Sequence, residues 1–74
     1  MDRRGLLVAF IRQQLKEDYD PEGEELLDVV DSVALLQIVV FIEERFQITL
    51  DMAEFDLANF RTVDTLVAAL DGLG

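Results

Sequence analysis

Apolar side chains recur along most of the chain at helical spacing. Leu6, Leu7, Phe10, Ile11 and Leu15 share one face of a first helix predicted over residues 2–17. It stops where Asp18-Tyr19-Asp20-Pro21-Glu22-Gly23 brings breakers and turn formers together. A mostly acidic loop follows to about residue 31. Its Leu26, Leu27, Val29 and Val30 are too apolar for a free linker, so the loop is expected to lie over the bundle with those side chains inserted. The second helix starts at Asp31-Ser32, where a side-chain oxygen can accept from an orphan N–H and a carboxylate suits the positive end of the helix dipole. It is expected to end at residue 45 or 46. Leu35, Ile38, Val39, Ile42 and Phe46 form its core side, whereas Val33, Gln37, Val40 and Glu44 fall opposite, with Leu36 beside them. Three aliphatic side chains thus point outward near the start of this helix.

Phe46-Gln47-Ile48-Thr49-Leu50 alternates apolar and polar, but one short strand has nothing to pair with. It reads as an extended connector with Phe46, Ile48 and Leu50 inward. Asp56-Leu57-Ala58-Asn59-Phe60 reads as a single turn begun by an Asp cap. Thr62 then caps a last helix with Val63, Leu66, Val67 and Leu70 toward the core and Gly72 as the residue that ends it. The fold class is all-α: a four-helix bundle of three longer helices and one short one, with a long loop between the first and second. Residues 1–74 make one domain, too small to enclose a large internal pocket.

Composition narrows the chemistry. With no His and no Cys, the chain has no side chain that ordinarily titrates near neutrality and no thiolate nucleophile. A self-contained Ser–His or Cys–His hydrolase is excluded, as is Cys/His zinc, and no disulfide can staple the fold. The formal charge of −10 opposes binding to nucleic acid and to anionic lipid, and favours a basic protein partner. That charge is uneven: residues 1–16 carry a net +3 and residues 17–74 a net −13, so the acidic surface lies beyond the first helix.

Other constellations fade on inspection. Arg3-Arg4 before an apolar stretch imitates a secretory signal, but the stretch is short, ends at Arg12-Gln13-Gln14 and has helical periodicity. No segment reaches the ~20 apolar residues of a membrane span, so a cytoplasmic location is expected. Isolated glycines exclude a phosphate-cradling loop, and the adjacent acids Glu24-Glu25 and Glu43-Glu44 read as solvated surface. Asp18, Asp20, Glu22 and Gly23 imitate the start of a calcium loop; Val29 stands where a bidentate Glu is needed and Pro21 interrupts it, so no metal site is assigned. Asp31-Ser32-Val33 remains. An Asp-Ser pair before an apolar run is usually a cap, but this one follows a long loop and is followed at once by outward aliphatics.

In this setting the chain resembles an acyl or peptidyl carrier protein, whose Asp-Ser-Leu motif heads the second helix of a four-helix bundle. Three segments carry the resemblance. Leu26-Leu27-Asp28 through Asp31-Ser32-Val33 is similar to the family's approach to its modified serine. Ile42-Glu43-Glu44-Arg45-Phe46-Gln47-Ile48 is similar to the end of its second helix, where Gln47 stands for the usual Gly. Phe60-Arg61-Thr62-Val63-Asp64-Thr65-Leu66 resembles the approach to the last helix in small stand-alone carriers for methoxymalonyl, aminoacyl or D-alanyl units. The resemblance implies no enzyme activity of the chain's own. It implies 4′-phosphopantetheine on Ser32, attached as a phosphodiester by a phosphopantetheinyl transferase using coenzyme A and a divalent cation, with Asp31 as cap and charge complement. Val33, Leu36 and Val40 would make an apolar contact for partner enzymes, with Gln37, Glu43 and Glu44 as its polar rim. Those partners would be an acyl- or aminoacyl-loading enzyme and a downstream acyltransferase or synthase, meeting a monomeric, discrete carrier.

Val33 replaces the usual Leu, which does not forbid modification. Ala34 and Gln37 stand where fatty-acid carriers often place acids, and this points toward polyketide or nonribosomal peptide biosynthesis. A D-alanyl carrier, which shares the Glu54-Phe55-Asp56 and Phe60-x-Thr62 pattern, and a fatty-acid carrier remain as alternatives. An alternative of another class is an acidic helical adaptor that binds a partner through Val33, Leu36 and Val40, with Ser32 serving only as a cap.

Overall fold

The computed structural model describes residues 2–51 and 56–73, and every element in them is helical. They are α1 (Arg3–Gln14), α2 (Leu26–Val29), α3 (Ser32–Phe46), a 3₁₀ turn η1 (Leu57–Phe60) and α4 (Val63–Leu73). The all-α bundle is as expected, although the short elements differ in kind. The predicted turn at residue 57 is 3₁₀ rather than α, and the loop before Asp31 contains a further short helix, α2. Leu26 is the reason for α2: its side chain is fully buried, and folding the backbone there into a turn hides its polar groups at the same time.

α1 begins where Asp2 Oδ1 accepts the Gly5 N–H at 2.8 Å. It ends at Gln14 rather than at residue 17, because the N–H groups of Leu15 and Lys16 both turn back to the Ile11 carbonyl, each at 2.9 Å. The cause lies in Tyr19, which the sequence pattern leaves in a polar turn and the structure buries completely. Arg12 Nε donates to the Tyr19 carbonyl at 2.9 Å and pulls the chain back over the helix. Lys16 pairs with Glu24 on the same stretch. That ammonium, with the Asp20 N–H, holds the Glu24 carboxyl below its ordinary range, so the anchor is complete above the usual carboxylate value and is lost as the medium is acidified through the lowered one. Asp20 closes the turn by accepting the Glu22 N–H at 3.0 Å. A Cβ at Gly23 would meet Asp20 Oδ2 at 2.5 Å, so a larger residue there would have to displace that carboxylate. Of the calcium-like acids, Asp20 thus closes its own loop, while Asp18 lies 3.9 Å from Lys16 and Glu22 3.9 Å from Arg4.

The Tyr19 hydroxyl is buried with no hydrogen-bond partner among the described residues, and burial pushes its pKa above the ordinary phenol value. A buried donor without a partner costs about 1–3 kcal/mol. Tyr19→Phe is accordingly expected to raise the unfolding free energy by about 1 kcal/mol, seen as a higher urea midpoint with an unchanged slope.

The core joins α1, α3 and α4 with the two short elements. Leu7 and Ile11, Ile38 and Ile42, and Val63, Leu66 and Leu70 are all fully buried, together with Leu26 and Phe60. Leu35, Val39, Phe46 and Val67 pack half-buried against them. Phe10 of α1 stacks on Phe41 of α3 at 4.3 Å between ring centroids, and Phe46 meets Phe41 edge-on at 5.9 Å. Arg3 and Arg4 reach Asp71 and Asp64 of α4, each at 2.8 Å, and so set much of the positive end of the chain against acids of its last helix.

The connector after α3 has no regular secondary structure, with Leu50 buried and Ile48 half-buried as expected. Gln47 turns left-handed there, with φ 58° and ψ 42°, where a side chain costs about 1 kcal/mol. Its Nε2 offsets part of that cost by donating to the Glu44 carbonyl at 2.9 Å. Gln47→Gly is expected to stabilise the fold by about 0.5 kcal/mol in urea unfolding. Thr62 caps α4 through the Thr65 N–H at 3.0 Å, and Thr65 Oγ1 accepts the Thr62 N–H in return, also at 3.0 Å. Two other predicted ends differ. The Asp56 side chain makes no cap bond to η1, and Gly72 does not end α4, which continues in right-handed conformation through Leu73.

Candidate functional site

Asp31 sits in extended backbone immediately before α3, and its Oδ1 accepts the Ala34 N–H at 2.8 Å. Its carbonyl takes the Leu35 N–H at 2.9 Å, closing the first helical turn. Asp31 is therefore the cap. Ser32, the first residue of α3, is exposed, and its hydroxyl makes no hydrogen bond to any described residue. The bland role for Ser32, a helix cap, is thus already filled by its neighbour.

Ser32 has no base beside it to activate it. The adjacent carboxylate is committed to the Ala34 N–H, and no described group of three or more His, Cys, Asp or Glu residues is placed to hold a metal ion. The hydroxyl is accessible and unpolarised, which suits a group modified by another enzyme rather than a nucleophile that works alone.

Beyond Ser32 the exposed face of α3 is apolar. Val33 and Leu36 are each 65 % exposed and Val40 50 %, while Ala34, Ile38 and Ile42 on the opposite face are buried. No charged residue occurs from 32 to 42. Gln37 and Glu44 are exposed on the same face. Glu43 is set apart from them: it is half-buried, and its Oε2 accepts the Leu50 N–H at 2.9 Å, pinning the connector that follows the helix. The structure therefore brings Ser32, Val33, Leu36, Gln37, Val40 and Glu44 to one surface and turns the Glu43 carboxylate toward the connector.

Two further features were not read from the sequence. Leu57 at the start of η1 is 54 % exposed, an apolar side chain outside the core. On the approach to α3, the Leu26 N–H donates to the Arg61 carbonyl at 2.7 Å, and Arg61 Nε and one terminal guanidinium nitrogen both donate to Glu25 Oε1, at 3.2 and 3.1 Å. Neither contact has a local signal, since Glu25 and Arg61 are 36 positions apart. Glu54 and Phe55 lie outside the described residues. An open depression lined by residues 12–17 at the end of α1 contains none of the expected site residues.

Among known proteins, the chain is 27 % identical over 73 residues to the D-alanyl carrier protein of Streptococcus suis (strain 05ZYH33), covering 95 % of this chain and 92 % of that one. It is 36 % identical over 47 residues to the probable acyl carrier protein PigG of Serratia sp. (strain ATCC 39006), covering 64 % of this chain and 54 % of that one. No solved structure matches it. The family described as the phosphopantetheine attachment site matches residues 7–70, from the first core leucine of α1 to the last of α4. Phosphopantetheine is the covalent prosthetic group of that family, and an exposed serine hydroxyl without partners at a helix start is a fit acceptor for it. The chain belongs to the phosphopantetheine-attachment family and is a carrier protein rather than an enzyme.

Proposed function

We propose that residues 1–74 act as a single, discrete carrier domain that holds acyl or aminoacyl intermediates as thioesters on 4′-phosphopantetheine attached to Ser32. The observation that carries this reading is the free, exposed hydroxyl in the first turn of α3, relieved of capping by Asp31. In the modification, Ser32 Oγ forms a P–O bond as the pyrophosphate P–O bond of coenzyme A breaks. The adenosine nucleotide leaves, and the transferase supplies the divalent cation and the base that takes the hydroxyl proton. When bound, the group supplies a thiol, which this Cys-free chain lacks.

The remaining residues orient partners. Asp31 holds the first turn of α3 rigid and sets a carboxylate beside the acceptor. Val33, Leu36 and Val40 give partner enzymes an apolar contact, with Gln37 and Glu44 as polar rim and Glu43 at its edge. Val40→Asp is expected to leave the helical CD spectrum unchanged, because the position is half exposed, while slowing loading by the cognate enzyme about tenfold, equivalent to ~1.4 kcal/mol of lost contact. Unfolding of that variant would place Val40 in the core and remove it from the docking face.

The uncharged stretch over residues 32–42 supports a partner set belonging to polyketide or nonribosomal peptide biosynthesis, in the cytoplasm, with the carrier monomeric. The relative from Streptococcus suis, aligned over nearly its whole length, supports a second reading in which the cargo is D-alanyl. Among the described residues no helix is long and apolar enough to cross a membrane. The test of the carrier function is intact mass after incubation with coenzyme A and a broad-specificity phosphopantetheinyl transferase. A single adduct is expected; its absence would overturn the assignment. The acyl group found on carrier isolated from its own host then separates the two cargoes.

A further inference from the structure

The path from the acidic loop to Ser32 is tied at Glu25 and Leu26 to Arg61, just before α4. α2 has four residues, too few to hold a helical conformation without outside support. Its capping position is occupied by Glu25, whose side chain makes no cap bond; the carboxylate is instead engaged by the Arg61 guanidinium through two hydrogen bonds to Oε1. The same residue contributes its backbone, since the Arg61 carbonyl accepts the Leu26 N–H at 2.7 Å. Beneath this joint Leu26, Phe60 and Val63 are fully buried. After α2, only Val30 and Asp31 intervene before Ser32, both in extended backbone. A change in the setting of α2 therefore has only two extended residues in which to dissipate before it reaches Asp31, the cap on which the first turn of α3 depends.

The Arg61–Glu25 pair itself lies at the surface, with side chains 65 % and 45 % exposed, so its loss should hardly affect global stability. What it can control is the direction in which α2, and with it the surface on the N-terminal side of Ser32, is presented. We infer that Arg61 is a positioning residue for modification of Ser32: through Glu25 it fixes α2 so that an incoming transferase meets one surface beside the acceptor hydroxyl. The inference rests on Ser32 being the modified residue.

The experiment measures phosphopantetheinylation of the full chain by intact mass across a range of carrier concentrations, together with thermal unfolding and the amide NMR spectrum. Arg61→Ala and Glu25→Ala are each expected to raise the KM for the carrier about three- to tenfold with kcat unchanged, to leave the thermal midpoint in place, and to shift the amide signals of Leu26, Asp31 and Ser32. Arg61→Lys should recover part of the KM. The double exchange Glu25→Arg with Arg61→Glu should recover most of it, because the charge pair is restored in reverse order. Parental KM in Arg61→Ala, or a double exchange as impaired as the single variants, would overturn the inference. Failure of the unaltered chain to accept the group would instead overturn the assignment of Ser32, so the two failures are distinguishable.

Discussion

Ser32→Ala is expected to abolish phosphopantetheine uptake completely while leaving the fold as stable as the parent. Both halves of that outcome follow from the division of labour at the start of α3. The capping bond is made by Asp31 Oδ1 to the Ala34 N–H, and the Ser32 hydroxyl bonds to nothing described. Had Ser32 been the cap, its removal would cost about 1 kcal/mol; as the first helical residue its replacement by Ala is neutral or slightly favourable. The measurements are intact mass after incubation with coenzyme A and a transferase, and urea unfolding of the same sample. An adduct that persists in Ser32→Ala would move the attachment to another hydroxyl. An unmodified variant with lowered stability would leave the loss of modification attributable to the fold.

The second large effect concerns stability. Phe60 is fully buried where η1 meets α4, beside Val63 and below the joint made by Leu26 and Arg61. Truncating such a ring to Ala removes about 3–5 kcal/mol, whereas a domain of this size has only ~3–5 kcal/mol in total. Phe60→Ala is therefore expected to be largely unfolded in water at room temperature, by far-UV CD and by collapse of amide dispersion. Phe60→Leu, which keeps most of the volume, should remain folded with a loss on the order of 1–1.5 kcal/mol. A cooperative, parent-like transition in Phe60→Ala would show that η1 contributes little to the core. The two predictions separate cleanly: one residue carries the modification and almost no stability, the other the reverse.

The comparison of sequence with structure turns on the range over which each residue's partners lie. The faces of α3 and α4 were legible because helical periodicity is local: Ile38, Ile42, Leu66 and Leu70 are buried, and Val33, Leu36 and Val40 exposed, as the spacing requires. The Thr62 cap was legible for the same reason, its acceptor being three residues from the donor. Tyr19 was not, because nothing in Asp18-Tyr19-Asp20 distinguishes an outward ring from one folded over α1 by a bond from Arg12. Glu43 was placed with Glu44 on the rim, yet its carboxylate serves the Leu50 N–H beyond the helix end, and only the course of the connector reveals this. The candidate acceptor was legible as a motif, whereas the freedom of its hydroxyl was not, because the Asp-Ser pair offers two possible caps and the backbone selects one.

What the sequence determined by itself is chemical: a short chain with no His and no Cys, charged −10, supplies neither a thiol nor a side chain that ordinarily titrates near neutrality. It also determined the approximate course of the three longer helices and the inward faces of α3 and α4, since those properties depend on neighbours three or four residues away. The tertiary structure alone decided that Asp31 caps and Ser32 is free, that α2 forms within the loop, and that Arg61 is tied to Glu25 across 36 positions. These depend on where distant segments meet once the apolar faces have packed, and packing is a property of the whole chain at once.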